Sequence, residues 1–298
     1  MKATDTTDTT DTTDVVVVTY ESERWIAACL DSLVGQSGIG RIVVVDNGST
    51  DATASVVHRY ADRNVALRAL GVNQGFGSAA NRGVAATASA AVLIVNPDLI
   101  AEVGVVTRLR SALDVAPGIA VVGPTVTDLS GATYPSARSF PSLTDAAGHA
   151  FLGLFWKANP WSAQYLSPTQ VQWISGTAML VRRSAFEAVG GFDESFFMYV
   201  EDVDLCWRLA GAGWTVALES AAVVRHGVGG SSGRAPYRMI VAHHRSLWRF
   251  ARRSATPVQR LALPLVAVAL VGRAAIVSCR YRRNGQAPAA RATNLYSP

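Results

Sequence analysis

Cysteine is scarce in this 298-residue chain: Cys29, Cys206 and Cys279 are widely spaced and odd in number. That excludes a disulfide framework and a cysteine-rich zinc site, and it fits a reducing compartment. Charge is sparse too, at 16% against 49% hydrophobic residues, so the bulk of the chain is not disordered. No basic segment followed by an apolar one opens the sequence. Residues 1–14, ending in Thr-Thr-Asp repeats, read instead as a disordered head rather than a signal peptide. Acidic residues stop at Glu219, and thirteen arginines follow. Residues 1–219 hold 14 bases and 22 acids, net −8, so the remaining tail carries +13 of a chain total of +5. Such polarity implies an anionic partner for the tail, either membrane or nucleic acid.

What is present is an alternation. Val15 to Val18, Ile42 to Val45, Val65 to Leu70, Val92 to Val95 and Ala120 to Val122 are continuous apolar runs of the kind buried parallel strands show. Between them Glu23 to Leu33, Ala52 to Ala61, Phe76 to Ala86 and Val105 to Val115 have helical length. A right-handed, mostly parallel α/β sheet flanked by helices follows. From Thr125 to Val171 the pattern breaks into Pro, Ser and aromatics, including Phe151 to Trp156. Beyond it lie a strand at Gly176 to Arg182, short helices at Ser184 to Val189 and Val203 to Ala212, and strands at Trp214 to Leu218 and Ala222 to Val224. In the tail, Tyr237 to Phe250 reads as a helix with interleaved basic and aromatic residues. The apolar run Leu261 to Val271 falls short of the ~20 residues a bilayer span needs. A helix lying in the membrane interface is the expectation, with a span requiring extension to Val277 past Arg273; a packing helix with a solvated basic face is the alternative.

Ligands of open parallel sheets bind at the carboxyl ends of the strands. Those ends here read Thr19-Tyr20-Glu21, Asp46 through Asp51, Gly71 through Gly75, and Asn96-Pro97-Asp98. For Ser49, Thr50 and Asp51 helix capping is the default reading. Gly75 to Ala80 fits G-x-G-x-x-A with Asp98 about twenty residues on, as in a dinucleotide site, but it falls in the third βα unit rather than the first. Around it Asn73, Asn81 and Arg82 suit either a polar ligand or loop-fixing bonds. Glu201, Asp202 and Asp204 crowd three carboxylates into four positions, ahead of Arg208. In a shared pocket they would raise at least one pKa, as a general base requires. At a helix start they would act as a solvated acidic cap. Together with Asn96-Pro97-Asp98, a metal plus a base is the better account.

The ordered motifs V-V-T-Y, V-D-N-G-S-T-D, N-x-G-F-G-x-A-x-N-x-G, N-P-D and F-x-Y-x-E-D-x-D-L-x-x-R, spread over Val15 to His226, resemble family 2 inverting glycosyltransferases of the GT-A (Rossmann-like) fold. Tyr134 to Leu143 and Phe155 to Trp161 resemble the subgroup of rhamnosyltransferases that act on polyprenyl-diphosphate N-acetylglucosamine in actinobacterial cell-wall linker synthesis. The resemblance implies a GT-A domain over 15–235 and a basic, helical, membrane-associating appendage over 236–298.

By that resemblance Thr19, Tyr20, Glu21 and Asp46 cradle the nucleoside, and Asn73, Gly75, Asn81 and Arg82 line the donor pocket. Asn96 and Asp98 stand where the family has Asp-x-Asp; the Asn removes a charge and leaves Asp98 to carry most of the metal. His226 resembles the histidine that completes the metal shell, and the implied ion is Mg²⁺ or Mn²⁺. Asp202 is the implied general base. Glu201 and Asp204 are expected to position the acceptor or the helix, with Arg208 pairing one of them. The implied partners are a nucleotide-sugar donor such as dTDP-rhamnose, a polyprenyl-diphosphate glycolipid and an anionic membrane, with no nucleic acid and a possible homodimer. His243, His244 and Arg245 are candidates for the acceptor diphosphate, or for a buried helix face. The implied location is peripheral, on the cytoplasmic face of the plasma membrane. The alternatives are a family 2 transferase with another donor such as UDP-galactofuranose, or a non-catalytic nucleotide-sugar-binding membrane protein.

Overall fold

The computed structural model describes residues 12–140, 171–227 and 236–284. The head up to residue 11, the aromatic stretches Phe151 to Trp156 and Phe155 to Trp161, and the last fourteen residues lie outside the described residues. Strand β1 (Thr13–Thr19) is buried along its whole length, so its valines divide by the two-residue period of a strand. Val15 and Val17 face α1 (Ile26–Leu33), whereas Val16 and Val18 face α3 (Phe76–Val84). Each fully buried valine contributes about 1.5–3 kcal/mol, which is why an unbroken apolar run marks a central strand here. The strand begins at Thr13, inside the stretch read as a disordered head. The Asp14 carboxylate accepts the amides of Arg41, Ala88 and Ser89 and so ties it to both neighbours.

Parallel pairing joins β1 to β2 (Ile39–Asp46) and β4 (Ala91–Val95), and β2 to β3 (Val65–Ala69). The helix α2 (Thr53–His58) lies between β2 and β3. Helix α3 sits close to the sheet because Gly83 lacks a side chain; a Cβ there would lie 2.3 Å from Val16 Cγ1. After β5 (Leu99–Ala101), α4 (Val105–Asp114) and β6 (Ile119–Thr127), two short strands follow, β7 (Thr133–Tyr134) and β8 (Ala137–Arg138). Strand β9 (Trp173–Ile174) pairs with β8 in a separate two-stranded sheet.

The remaining main-sheet strands make it mixed. Strand β10 (Ala178–Arg182) runs antiparallel between β4 and β6, and β11 (Thr215–His226) runs parallel to β6 and antiparallel to β5. The order is β3-β2-β1-β4-β10-β6-β11-β5, with β7 on β6. The two strands expected at Trp214 to Leu218 and Ala222 to Val224 are one, interrupted in register between Glu219 and Val223, where polar residues break the apolar pattern.

Helix α5 (Arg183–Ala188) precedes α6 (Glu201–Gly211), which starts two residues earlier than the apolar pattern suggested and takes the carboxylates into its first turn. The tail forms α7 (Pro236–Ser254) and α8 (Leu263–Asn284). The apolar helical stretch Gln259–Arg282 is 24 residues, long and apolar enough to cross a membrane, so the eleven-residue estimate was too short. The physical reason is Arg273: it turns inward and is 7% exposed, leaving Leu265, Val268, Val271 and Ile276 on an uninterrupted outward face.

Candidate active site

The parallel register sets Thr19 beside Asp46, at the carboxyl ends of β1 and β2. Beyond them two loops are stapled together. The Asp46 carboxylate accepts from both the amide and the hydroxyl of Ser49; Ser49 Oγ accepts the Glu21 amide at 2.8 Å; and Glu21 Oε1 accepts the amide and hydroxyl of Thr50, each at 2.8 Å. Ser49 and Thr50 therefore cross-link loops rather than cap α2, and Asp51 takes the Thr53 amide at 3.0 Å. Tyr20 is half-buried on the same rim, and the buried Thr19 Oγ1 has no hydrogen-bond partner.

The third strand end is held by Asn47, whose side-chain amide donates to Asn73 Oδ1 and to the Gly75 carbonyl, both at 3.1 Å, and accepts the Gln74 amide at 2.8 Å. Gly75 has φ +91°, and a Cβ on it would lie 2.3 Å from the Phe197 carbonyl oxygen, so only glycine fits this approach to α3. Asn81 and Arg82 are engaged in loop-fixing. Asn81 bonds both backbone groups of Phe192 at 2.9 Å, and Glu194 accepts from Ser78, Asn81 and Arg82. The Asn81 bond is the chief force holding the Glu194 carboxyl below the usual range.

An antiparallel register brings together a carboxylate and an imidazole. Pairing of His226 with Leu99 brings β11 against the turn after Asn96, and the Gly227 amide donates to the Asp98 carbonyl at 2.8 Å. His226 Nε2 and Asp98 Oδ1 then face each other at 3.0 Å, both buried and neither in a hydrogen bond. The pair closes as an ion pair when the imidazole is protonated, and when it is neutral an imidazole with a carboxylate is a donor set for Mn²⁺ or Mg²⁺. Among the described residues no cluster of three or more His, Cys, Asp or Glu surrounds a common point, so exogenous oxygens would have to complete the shell.

Asp202 sits across one turn. The Asn96 amide donates to the Thr177 carbonyl at 3.0 Å, and next to Thr177 the Gly176 amide donates to Asp202 Oδ2 at 2.9 Å. Asp202 Oδ1 accepts the Val203 amide at 2.8 Å. Burial pushes the Asp202 carboxyl up against the lowering effect of these amides and of Arg138. Burial, reinforced by the Asp202 charge, raises Glu201 well above its ordinary value, and Glu201 Oε2 is buried without a partner. Two neighbouring carboxylates in so confined a site disfavour being ionised together.

Asp204 does something else. It is fully buried; Arg208 Nε donates to it at 2.7 Å and Arg253 at 2.5 Å, while Arg208 also donates to the carbonyls of Val189 and Gly191. Asp204 and Arg208 therefore fix α6 to the body. Sequence reasoning missed Asn47, Gly176, Glu194 and Arg253. Asn47 lay inside the V-D-N-G-S-T-D motif, whereas the other three act through partners distant in sequence. His243 and His244 are buried on the inner face of α7, and Arg245 is exposed.

A mixed α/β sheet with helices on both faces and its loop cluster, carboxylate–imidazole pair and adjacent carboxylates along one edge is the architecture of the GT-A glycosyltransferases. A mannosyltransferase from Pyrobaculum calidifontis, solved with GDP-mannose and Mn²⁺, superimposes with a TM-score of 0.59 at 18% identity, over 96% of this chain and 84% of that one. The sequence matches glycosyl transferase family 2 over residues 14–190, and the chain belongs to that family. Residues 133–292 also match glycosyl transferase family 21. The N-acetylglucosaminyl-diphospho-decaprenol L-rhamnosyltransferase of Mycobacterium tuberculosis is 41% identical over 258 residues, covering 79% of this chain and 82% of its own. The rhamnosyltransferase WbbL of Escherichia coli is 30% identical over 207 residues, covering 67% and 77%.

Proposed function

We propose that this glycosyltransferase moves L-rhamnose from dTDP-rhamnose to a polyprenyl-diphosphate-linked N-acetylglucosamine, with inversion, at the cytoplasmic face of the plasma membrane during cell-wall linker synthesis. The observation that carries the mechanism is the Ser175–Thr177 turn, which bonds Asn96 on one side and Asp202 on the other, so that donor site and base share one edge. The likeness to the M. tuberculosis enzyme supports the choice of sugar and acceptor.

In this reading Thr19, Tyr20, Glu21 and Asp46 hold the nucleoside, and Asn73, Gly75, Asn81, Arg82 and Asn96 shape the floor beneath its diphosphate. Asp98 and His226 hold a divalent cation, the imidazole favouring Mn²⁺ over Mg²⁺. Bound there, the ion neutralises charge on the departing nucleoside diphosphate. Asp202 takes the proton from the acceptor hydroxyl on the face opposite the leaving group, which inverts the anomeric carbon. Its two amide hydrogen bonds fix the direction of the carboxylate.

The tail brings the enzyme to its acceptor. Helix α8 packs along α7, with Tyr237 edge-on to Tyr281 at 5.3 Å and Arg273 buried between the helices. If α8 crossed the bilayer, α7 with Arg238, Arg245 and Arg252 would be drawn into hydrocarbon at ~2.5–3.5 kcal/mol for each arginine. An in-plane α8, its outward leucine and valine face in the acyl boundary and the α7 arginines among anionic headgroups, avoids that cost. The test is transfer by purified full-length protein to polyprenyl-diphosphate N-acetylglucosamine from dTDP-rhamnose, with UDP-galactofuranose and other nucleotide sugars as controls, with and without a chelator. Chelator-sensitive rhamnose transfer is expected. Turnover with another donor would overturn the choice of sugar, and nucleotide binding without turnover on any donor would overturn the enzymatic assignment.

A further inference from the structure

The backbone delivering Asp202 is strained. Tyr199 and Val200 have φ of +65° and +70°, and a β-branched residue in the left-handed region is a genuine outlier that the surrounding structure must hold in place. The restraints come from α7. Ser246 Oγ donates to the Met198 carbonyl at 2.9 Å, the His243 ring stands edge-on to Tyr199 at 5.2 Å, and Phe250 stands edge-on to Trp207 at 6.3 Å. Arg253 spans the whole loop. One of its nitrogens donates to Asp193 at 2.6 Å and another to Asp204 at 2.5 Å, while its guanidinium lies over the Phe196 ring at 5.9 Å. These two aspartates bracket the segment 193–204, with the strained pair and Asp202 inside it. Asp204 is also anchored to the turn itself, since its amide donates to the Val200 carbonyl at 2.9 Å.

We propose that Arg253 is a positioning residue for the transfer reaction: by clamping Asp193 and Asp204 it holds the loop that aims Asp202, and it does so from the helix that carries the lipid-facing tail. The inference rests on Asp202 being the base. Arg253 itself touches no donor-loop residue; the segment it clamps meets the donor side where the Phe197 carbonyl accepts the Phe76 amide at 3.1 Å and Glu194 accepts from Asn81 and Arg82, so its effect falls mainly on turnover. Its planar fork reaches two carboxylates at once; a lysine ammonium, a point charge, cannot reproduce that geometry in full.

Arg253→Met, Arg253→Lys and Asp193→Asn test the clamp in the full-length protein. Methionine keeps the apolar contact with Phe196, and Asp193→Asn weakens one arm while leaving Asp204 paired, so that variant stays informative if Arg253→Met does not fold. For Arg253→Met the turnover of dTDP-rhamnose is expected to fall on the order of 10- to 100-fold, with a much smaller change in donor KM. Arg253→Lys should recover part of the loss, and Asp193→Asn should lower turnover less. Hydrogen exchange of the amides from Met198 to Asp204 should quicken in Arg253→Met and Asp193→Asn, while the loop at 46–51, which makes no bond to that segment, stays at wild-type rates. Wild-type turnover and exchange in both variants would overturn the proposal, as would a rise in donor KM matching the loss. If the wild-type chain transfers no sugar from any donor, the functional reading fails separately. The exchange measurement then still decides whether Arg253 holds the loop.

Discussion

Replacing Asp202 by Asn separates the chemistry of the base from its structural role, because the structure gives a magnitude for each. Both carboxylate oxygens accept backbone amides, Oδ2 from Gly176 and Oδ1 from Val203. An asparagine has one acceptor oxygen, so its NH₂ must face one of those two N–H groups. The orphaned donor costs ~1–3 kcal/mol. Against this, burial disfavours the Asp202 charge in the folded state, as its raised pKa records, and the amide removes that penalty. The two effects oppose, so net destabilisation should stay below about 3 kcal/mol, or roughly 10 °C in melting temperature for a chain of this size. Loss of a general base is larger in rate, ~10²- to 10⁴-fold. That corresponds to about 2.7–5.4 kcal/mol on the barrier. The assay is initial-rate transfer from dTDP-rhamnose, with dTDP affinity by calorimetry and melting by circular dichroism on the same preparation. The expected outcome is a collapse in turnover, a small shift in melting and unchanged dTDP affinity. Full turnover in a folded variant would refute the assignment, and so would a loss explained by unfolding or weakened nucleotide binding.

His226→Gln should weaken Mn²⁺ binding in the presence of dTDP by at least the ~10- to 100-fold that even outer-shell partners of metal ligands are worth; titration calorimetry returning wild-type affinity would remove His226 from the site. Glu201→Gln tests the buried carboxylate pair through pH. A folded-state pKa raised above the ordinary 4.5 means that stability is fully present below that value and is lost as pH rises through the folded value, so the variant should match wild type near pH 4 and out-melt it increasingly toward pH 8. A melting difference that does not change with pH would contradict this. Leu265→Ser with Val268→Ser, at positions 75% and 72% exposed, should lower partition into phosphatidylglycerol vesicles by about tenfold or more without changing the fold; unaltered flotation with the vesicles would disprove insertion of that face.

The donor half of the site is legible in the sequence because its strands are buried on both faces. A strand such as Ala91–Val95 prints as an unbroken apolar run, and the first polar residue after it, Asn96, marks the sheet edge. Thr19, Asp46 and Asn73 are found the same way. The other half is reached only through the family motifs, and its surroundings were misjudged, for three separate reasons. Asp98 meets His226 only through the antiparallel register of β11 on β5, and no local pattern specifies that register across an intervening chain of such length. Helix α6 begins at Glu201 because Val200 adopts a left-handed backbone that residue preferences argue against, so its start was placed too late. The apolar length of α8 was underestimated at Arg273 because a charge normally ends an apolar run, whereas here it is buried between two helices.

These differences divide the molecule along the reaction coordinate. What is proposed to hold the nucleoside hangs from the parallel ends of β1 and β2, whose positions the central sheet fixes, and the loop staples among Glu21, Asp46, Ser49 and Thr50 hold that side without help from the tail. What aims the base is different in kind: a strained loop, two buried carboxylates and a helix pinned by arginines, with Arg253 and Ser246 contributed by α7. A membrane-facing helix that only tethered the enzyme would need no contact with Met198, Tyr199 or Asp204. Because α7 makes all three, disturbing the tail should act first on proton removal from the acceptor, while the nucleoside loops stapled through Glu21, Asp46, Ser49 and Thr50 are left intact.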